Sequence, residues 1–305
     1  MFGAVAPLAL ATVLLGWGAR GGSAPEQPGW LPLWEVTDGS RAVHLLGSIH
    51  LLRPEVYPLD PTIYEVFDSA DVVAFELDIA ELAQAGPAMM ERGTYQSGRT
   101  LADDLPADLA GELERRAAEL SLPAAVVRTM KPWFAAMTLS ALVLQQAGFD
   151  AAAGIDLHFH QRASAAGKRT IGLETLEDQL SAMDGLSAEA QVALVRSTLA
   201  ELDSTAVRMD HATALWQAGD AEALAEMMTE SMRGQSELEA RLLGERNRRW
   251  VPRIEALLRG GERAIVIVGV GHLVGEGSVV DLLEKRGYTV QRLRAREAAG
   301  VGASH

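Results

Sequence analysis

The chain has 305 residues, 48% of them hydrophobic and 22% charged, with a formal net charge of −14; this is a globular composition, long enough to bury a sizeable core. The excess of 41 Asp and Glu over 27 Lys and Arg excludes general nucleic-acid binding, which needs clustered cations against phosphate. Cysteine is absent, which removes thiol nucleophiles, disulfides, zinc–thiolate sites and a lipid-modified cysteine anchor, and leaves any metal to His, Asp, Glu or backbone oxygen, donors suited to hard or borderline divalent ions.

Residues 4–17 (AVAPLALATVLLGW) form an uncharged apolar run, followed by the small residues Gly22, Ser23 and Ala24. The run is short for a bilayer span and matches the apolar stretch of a signal peptide. Residues 1–24 therefore read as an export leader, which places the mature chain outside the cytoplasm. No Lys or Arg precedes the run, so an uncleaved N-terminal anchor and a buried helix stay open as alternatives. No later stretch has the length and apolarity to cross a bilayer.

Residues 25–305 read as a single α/β domain. Leu33-Trp34-Glu35-Val36 and Ala42-Val43-His44-Leu45-Leu46 flank Asp38-Gly39, a hairpin signal, and the second strand runs into Gly47-Ser48-Ile49-His50. A helix is predicted from Asp60-Pro61, because Pro is tolerated in a first turn. Val72-Val73-Ala74-Phe75 reads as a buried strand ending in Glu76 and Asp78, so the chain begins strand, crossover, strand, the mark of α/β architecture. Residues 79–165 are helical in character, divided by Pro106, Pro123 and Pro132. Lys168–Leu173 makes a short strand ending in Glu174. A second helical stretch, 175–259, is broken near Gly185, Gly219 and Gly234. Ala264-Ile265-Val266-Ile267-Val268 is a further buried strand, Gly269-Val270-Gly271-His272 a turn, 278–286 a helix and Tyr288–Leu293 a closing strand. The expected fold is a small mixed β-sheet core with two helical insertions forming a cap.

Two Gly-x-x-His tetrads each follow an apolar strand, so His50 and His272 stand just past strand carboxyl ends, where open α/β sheets bind ligands. Glycine there is expected to supply positive φ and close backbone approach. Glu76 and Glu174 end two more strands. Two imidazoles with a carboxylate form a ligand set for zinc and other divalent metals that keep an open position. Taken singly, each His reads equally as a loop residue bonded to backbone, and Glu76 as a helix cap, a role for which Asp78 is better placed.

The motifs Leu33-Trp34-Glu35-Val36, Leu45-Leu46-Gly47-Ser48-Ile49-His50, Val73-Ala74-Phe75-Glu76-Leu77-Asp78 and Pro132-Trp133 carry a resemblance that continues along the chain. It runs through Gly154-Ile155-Asp156, Gly167-Lys168, Gly172-Leu173-Glu174-Thr175 with Gln179, Arg246-Asn247, and Val268-Gly269-Val270-Gly271-His272-Leu273-Val274-Gly275. In order and spacing these resemble the TraB/GumN family, relatives of the Tiki metalloproteases and more distantly of erythromycin esterases. The resemblance implies a divalent-metal peptidase site with manganese or cobalt favoured, mapping onto Gly47, His50, Glu76, Gly269 and His272.

The expected chemistry is metal-assisted hydrolysis of a peptide or small amide-like substrate. His50 and His272 ligate the ion (manganese, cobalt or zinc), and Glu76 is the third ligand or the general base. Glu174 fills whichever role Glu76 does not. Arg246 and Asn247 either steady an oxyanion or make a helix-to-core salt bridge. A non-catalytic peptide or signal-molecule binder and a metal-independent His–Glu esterase are the rival classes. A serine hydrolase is disfavoured because no Gly-x-Ser-x-Gly elbow occurs. Asp156 and His160 are four apart and share a helical face; a backbone-bonded Asp156 is preferred there over a second metal site. Trp133 is expected between cap and core, His44 and His211 are read as structural, and Met89, Met90, Met227 and Met228 as packing.

Overall fold

The computed structural model describes residues 29–96 and 98–296; the leader assigned to 1–24 lies outside them, as does most of the tail beyond Ala295. Six strands form one mixed sheet: β1 (Trp30–Thr37), β2 (Ala42–Ser48), β3 (Val72–Phe75), β4 (Arg169–Gly172), β5 (Ala264–Gly269) and β6 (Thr289–Arg294). Their spatial order is β4-β3-β5-β2-β1-β6. The four strands β4, β3, β5 and β2 run parallel, whereas β1 is antiparallel to both its neighbours. Every residue of β3 and β5 is buried, as expected for parallel strands covered on both faces. The hairpin between β1 and β2 turns at Asp38, whose carboxylate accepts from Ser40 and Arg41 N–H groups, and Gly39 takes the positive φ (+91°) that the turn requires.

Long helices fill the two intervals between strands. The first insertion includes Ile79–Gly93, Ala107–Glu119, Pro132–Gln146 and Ile155–Ala165; the second includes Leu176–Asp184, Ala188–Glu201, Thr205–Ala218, Ala221–Ser231 and Glu245–Gly260. Local chemistry sets their ends. Asp60 accepts from Thr62 N and precedes Pro61 at the start of Pro61–Ser69. Asp78 accepts from Ala80 N and caps Ile79–Gly93. Thr175 and Asp178 form a reciprocal capping box. Gly219 ends Thr205–Ala218 in the left-handed conformation. The insertions meet where Pro132–Gln146 packs on Ala188–Glu201. Trp133, fully buried, donates its indole N–H to Asp184 across that boundary at 3.1 Å. Among the described residues, no helix is long and apolar enough to cross a membrane.

Parallel strands share a polarity, so the carboxyl ends of β4, β3, β5 and β2 fall on one sheet edge. The residues that follow them are Glu174, Glu76, His272 and His50.

Candidate functional site

Glu76 is the hub. Its Oε1 lies 3.8 Å from His50 Nε2 and 3.9 Å from His272 Nε2, and it accepts the Gly269 N–H at 2.8 Å. Its Oε2 accepts from Arg246 Nη2 at 2.6 Å and from Gln179 Nε2 at 3.2 Å. Two imidazoles 222 positions apart in the chain (272 − 50) thus turn the same ring nitrogen toward one carboxylate oxygen. All three side chains are buried: 9% exposed for His50, 7% for Glu76 and 0% for His272.

Each imidazole is fixed from behind. His50 Nδ1 stands 2.6 Å from Asp156 Oδ2, and His272 Nδ1 stands 2.6 Å from Asn247 Oδ1. The Asn247 amide nitrogen donates to Gly277 O at 3.0 Å, which assigns its oxygen to the ring. Both partners accept, so both rings donate Nδ1–H and turn Nε2 toward the crevice. His50 Nε2 is buried with no hydrogen-bond partner.

Arg246 joins the edge together. A wide turn at Ala240–Gly244, in which Glu245 N–H reaches back five residues to Ala240 O, precedes it, and Leu242 O within that turn accepts Arg246 Nη1 at 3.0 Å. The guanidinium also donates Nε and Nη2 to Glu174, Nη2 to Glu76, and Nη1 toward His272 Nε2 at 3.1 Å. A guanidinium carries five N–H donors, and these partners occupy all of them, leaving none for a substrate oxygen in this arrangement. Glu174 is equally engaged: besides Arg246 it accepts Trp250 Nε1 at 3.1 Å. It sits behind Arg246 and does not face the two imidazoles. Asn247 faces His272, and no free atom of it points at the crevice.

Electrostatics follow from this layout. Burial works to raise the Glu76 carboxyl, but the nearby Arg246, His272 and His50, with the Gly269 N–H, hold it at about 2. Burial, then Arg246, pushes His272 down to about 3, so its ring is neutral. For His50 burial also opposes the proton, yet the charge and hydrogen bond of Asp156, with Glu76, carry it above the ordinary imidazole value.

The two motif glycines meet the expectation of close approach and not that of positive φ. Neither has positive φ; Gly269 has φ −49° and ψ 132°. A Cβ at Gly47 would meet Val270 Cγ2 at 2.8 Å, and one at Gly269 would sit 3.3 Å from both Glu76 Oε1 and His50 Nε2 and 3.6 Å from His272 Cδ2. Gly269 therefore keeps open the space that the three site side chains surround. Asp156 also departs from expectation: it bonds to the side chains of Ser48 and His50, not to backbone. His160 stacks on Phe75 with centroids 3.4 Å apart and His158 lies against Tyr57 and Tyr64, so no second metal cluster forms there. His44 pairs with Glu35 across β1 and β2. Trp250, over whose ring Arg246 lies at 4.8 Å and beside which His272 packs at 4.4 Å, is a site residue that sequence reasoning passed over; its place one helical turn after Arg246 was the available signal.

For a divalent metal the donors fit in kind. Two imidazoles, His272 neutral and His50 held above its ordinary value by Asp156, and an ionised carboxylate converge, each imidazole anchored at Nδ1 as ligating histidines are, with an orphaned Nε2 on His50 and a glycine-cleared space between them. Among the described residues, though, no three His, Asp or Glu side chains stand as a closed coordination shell, and an Arg246 N–H lies against His272 Nε2. A separate cleft of ≈ 750 Å³ is lined by Leu31, Val56, Leu59, Ile63, Tyr64 and Trp216 among others and includes none of these site residues.

The TraB/PrgY/gumN family model matches residues 32–292. Among curated proteins the chain is similar to the uncharacterized protein YbaP of Escherichia coli, 26% identical over 254 residues that span 82% of this chain and 92% of that protein. It is also similar to an uncharacterized protein of Treponema pallidum, 24% identical over 268 residues, 83% of this chain and 80% of that one. No solved structure matches. Because the family match runs from β1 to β6 and encloses all four strand ends of the site, the chain belongs to the TraB/PrgY/gumN family.

Proposed function

We propose that this protein is a metal-dependent hydrolase acting on peptides, with His50, Glu76 and His272 holding a divalent ion, manganese, cobalt or zinc. The carrying observation is that both imidazoles, pinned at Nδ1, aim Nε2 at the same Glu76 oxygen. When bound, such an ion lowers the pKa of a coordinated water and polarises a carbonyl. The chain's own part is to hold the donors in the required protonation states. Asn247 and Asp156 keep the Nδ1 protons in place. Arg246 keeps Glu76 ionised, which suits Glu76 to a ligand's role more than a base's, since a group held near pH 2 is a weak proton acceptor at neutral pH. Gly269 keeps the reacting space clear. With the apolar run at residues 4–17, the proposed setting is outside the cytoplasm.

One observation favours a second reading. The Arg246 N–H at 3.1 Å from His272 Nε2 competes for the lone pair that a metal needs. Without metal, the Asp156-backed His50, whose Nε2 has no partner, would take a proton from water as in a metal-independent esterase.

Elemental analysis of protein purified without chelator, on the parent and on His50→Ala and His272→Ala, tests the first reading, with peptide cleavage followed by mass spectrometry with and without Mn²⁺, Co²⁺ or Zn²⁺. Loss of metal and cleavage in both folded variants is expected. Full metal stoichiometry in either variant rejects the ligand assignment, and turnover insensitive to chelator transfers the case to the second reading.

A further inference from the structure

The segments around residues 48–57 and 150–156 are fastened together beside His50. Leu52 and Asp150 exchange backbone hydrogen bonds at 3.2 and 2.9 Å, Ile155 N donates to Ile49 O at 3.0 Å, and Tyr57 Oη donates to Ala153 O at 2.9 Å. Gly154 lies so close that a Cβ there would come within 2.2 Å of His50 O. This packing brings Asp156, in the first turn of Ile155–Ala165, under the imidazole ring. Its two carboxylate oxygens are divided between partners. Oδ2 takes His50 Nδ1 at 2.6 Å and Oδ1 takes the Ser48 hydroxyl at 2.7 Å.

We infer that Asp156 is a positioning residue: held in orientation by Ser48, its carboxylate fixes His50 as the Nδ1–H tautomer with the Nε2 lone pair in the crevice. A charged hydrogen bond of this length is among the stronger polar contacts in proteins, and a carboxylate behind an imidazole sets both tautomer and ring angle. Ser48, His and Asp here do not make a nucleophilic triad. The serine hydroxyl is spent on the aspartate, whereas in a triad it bonds the imidazole that deprotonates it. The second imidazole has a neutral amide, Asn247, in the equivalent place, so the two halves of the site are built alike in geometry and differently in charge.

The consequence for turnover rests on the hydrolytic reading; the orientation of His50 does not, and the test separates them. Nitrogen-15 spectra of the histidine rings in chelator-treated protein, recorded well above the imidazole titration, report which ring nitrogen carries the proton. The parent is expected to show His50 as a single Nδ1–H form. Asp156→Ala is expected to lose that pattern, and Asp156→Asn, whose amide can turn its NH2 toward the ring and donate to Nδ1, to admit the Nε2–H tautomer. In an active enzyme Asp156→Ala lowers metal affinity or kcat by about 10- to 100-fold. An unchanged His50 tautomer in Asp156→Ala overturns the inference. If Asp156→Ala fails to fold, the parent and Asp156→Asn decide: a parent His50 without the Nδ1–H form overturns the inference, and appearance of the Nε2–H tautomer in folded Asp156→Asn supports it. If the parent hydrolyses nothing, the hydrolytic reading fails while the spectra still judge Asp156.

Discussion

Replacing Arg246 with methionine keeps much of the side chain's volume and removes its charge from a place where it is 4% exposed. Glu76 would be left with Gln179 and the Gly269 N–H, and Glu174 with Trp250 as its hydrogen-bond partner. Breaking a buried ion pair from one side costs about 3–5 kcal/mol, because the remaining charge is stranded. One guanidinium serves two carboxylates, though Glu174 keeps the half-exposed Arg249 at 3.8 Å, so a loss within that range is expected, a large part of the roughly 5–15 kcal/mol that holds a domain folded. The assay is urea unfolding followed by circular dichroism at two pH values. Burial alone pushes Glu76 upward, so without Arg246 a stranded carboxyl can be neutralised by a proton, and the deficit of the variant should narrow as pH falls. Adding Glu174→Gln should recover part of the loss, as coupled neighbours do. A loss below about 1 kcal/mol, or a deficit that widens on acidification, would refute the view that Arg246 is the counter-ion of this edge.

Two shorter predictions follow from other contacts. Gly269→Ala has a permitted backbone conformation and should fold with an unfolding temperature near the parent's, yet lose metal binding and cleavage because its methyl enters the space between His50 and Glu76; unchanged binding by calorimetry would show that the space is not used. Burial holds His160 at about 4 against an unfolded value near 6.5, so the unfolded chain takes up the proton first as pH falls, and stability declines from about pH 6.5 downward by up to about 3 kcal/mol at pH 4. His160→Phe, which keeps an aromatic ring on Phe75, should flatten that part of the curve, and an identical acid slope in the variant would contradict the assignment.

The parallel strands were legible because burial on both faces leaves continuous apolar runs such as Ala264–Val268, and the polar residue that ends each run marks the sheet edge. The helix start at Asp60-Pro61 and the cap at Asp78 were similarly local. What the sequence could not show was which partner stands behind each imidazole. Asp156 is 106 positions from His50 and Asn247 is 25 from His272, and those distances close only through the packing of the helical insertions. The same limit applied to Arg246, where spacing allowed an oxyanion donor or a salt bridge, and only the coordinates show every N–H engaged.

The paired Gly-x-x-His motifs look equivalent in sequence, and their glycines are not. β2 and β5 are neighbours with Ser48 opposite Gly269, so each motif packs against the other. Gly47 clears Val270 of the second motif, with a Cβ contact of 2.8 Å to Val270 Cγ2 and 3.0 Å to Val270 Cβ; Gly269 clears the site itself. Gly47→Ala should therefore act through Val270, displacing the turn that carries His272 and costing about 1–3 kcal/mol as overpacking does. Val270→Ala in the same chain removes the closer contact and leaves the 3.0 Å one, so it should restore part of the stability and of the His272-dependent metal binding. No such restoration by Val270→Ala is expected for Gly269→Ala, whose methyl meets the site side chains. Equal rescue of both variants, or of neither, would mean that the two glycines serve one purpose, and the interlocked account of the motifs would fall.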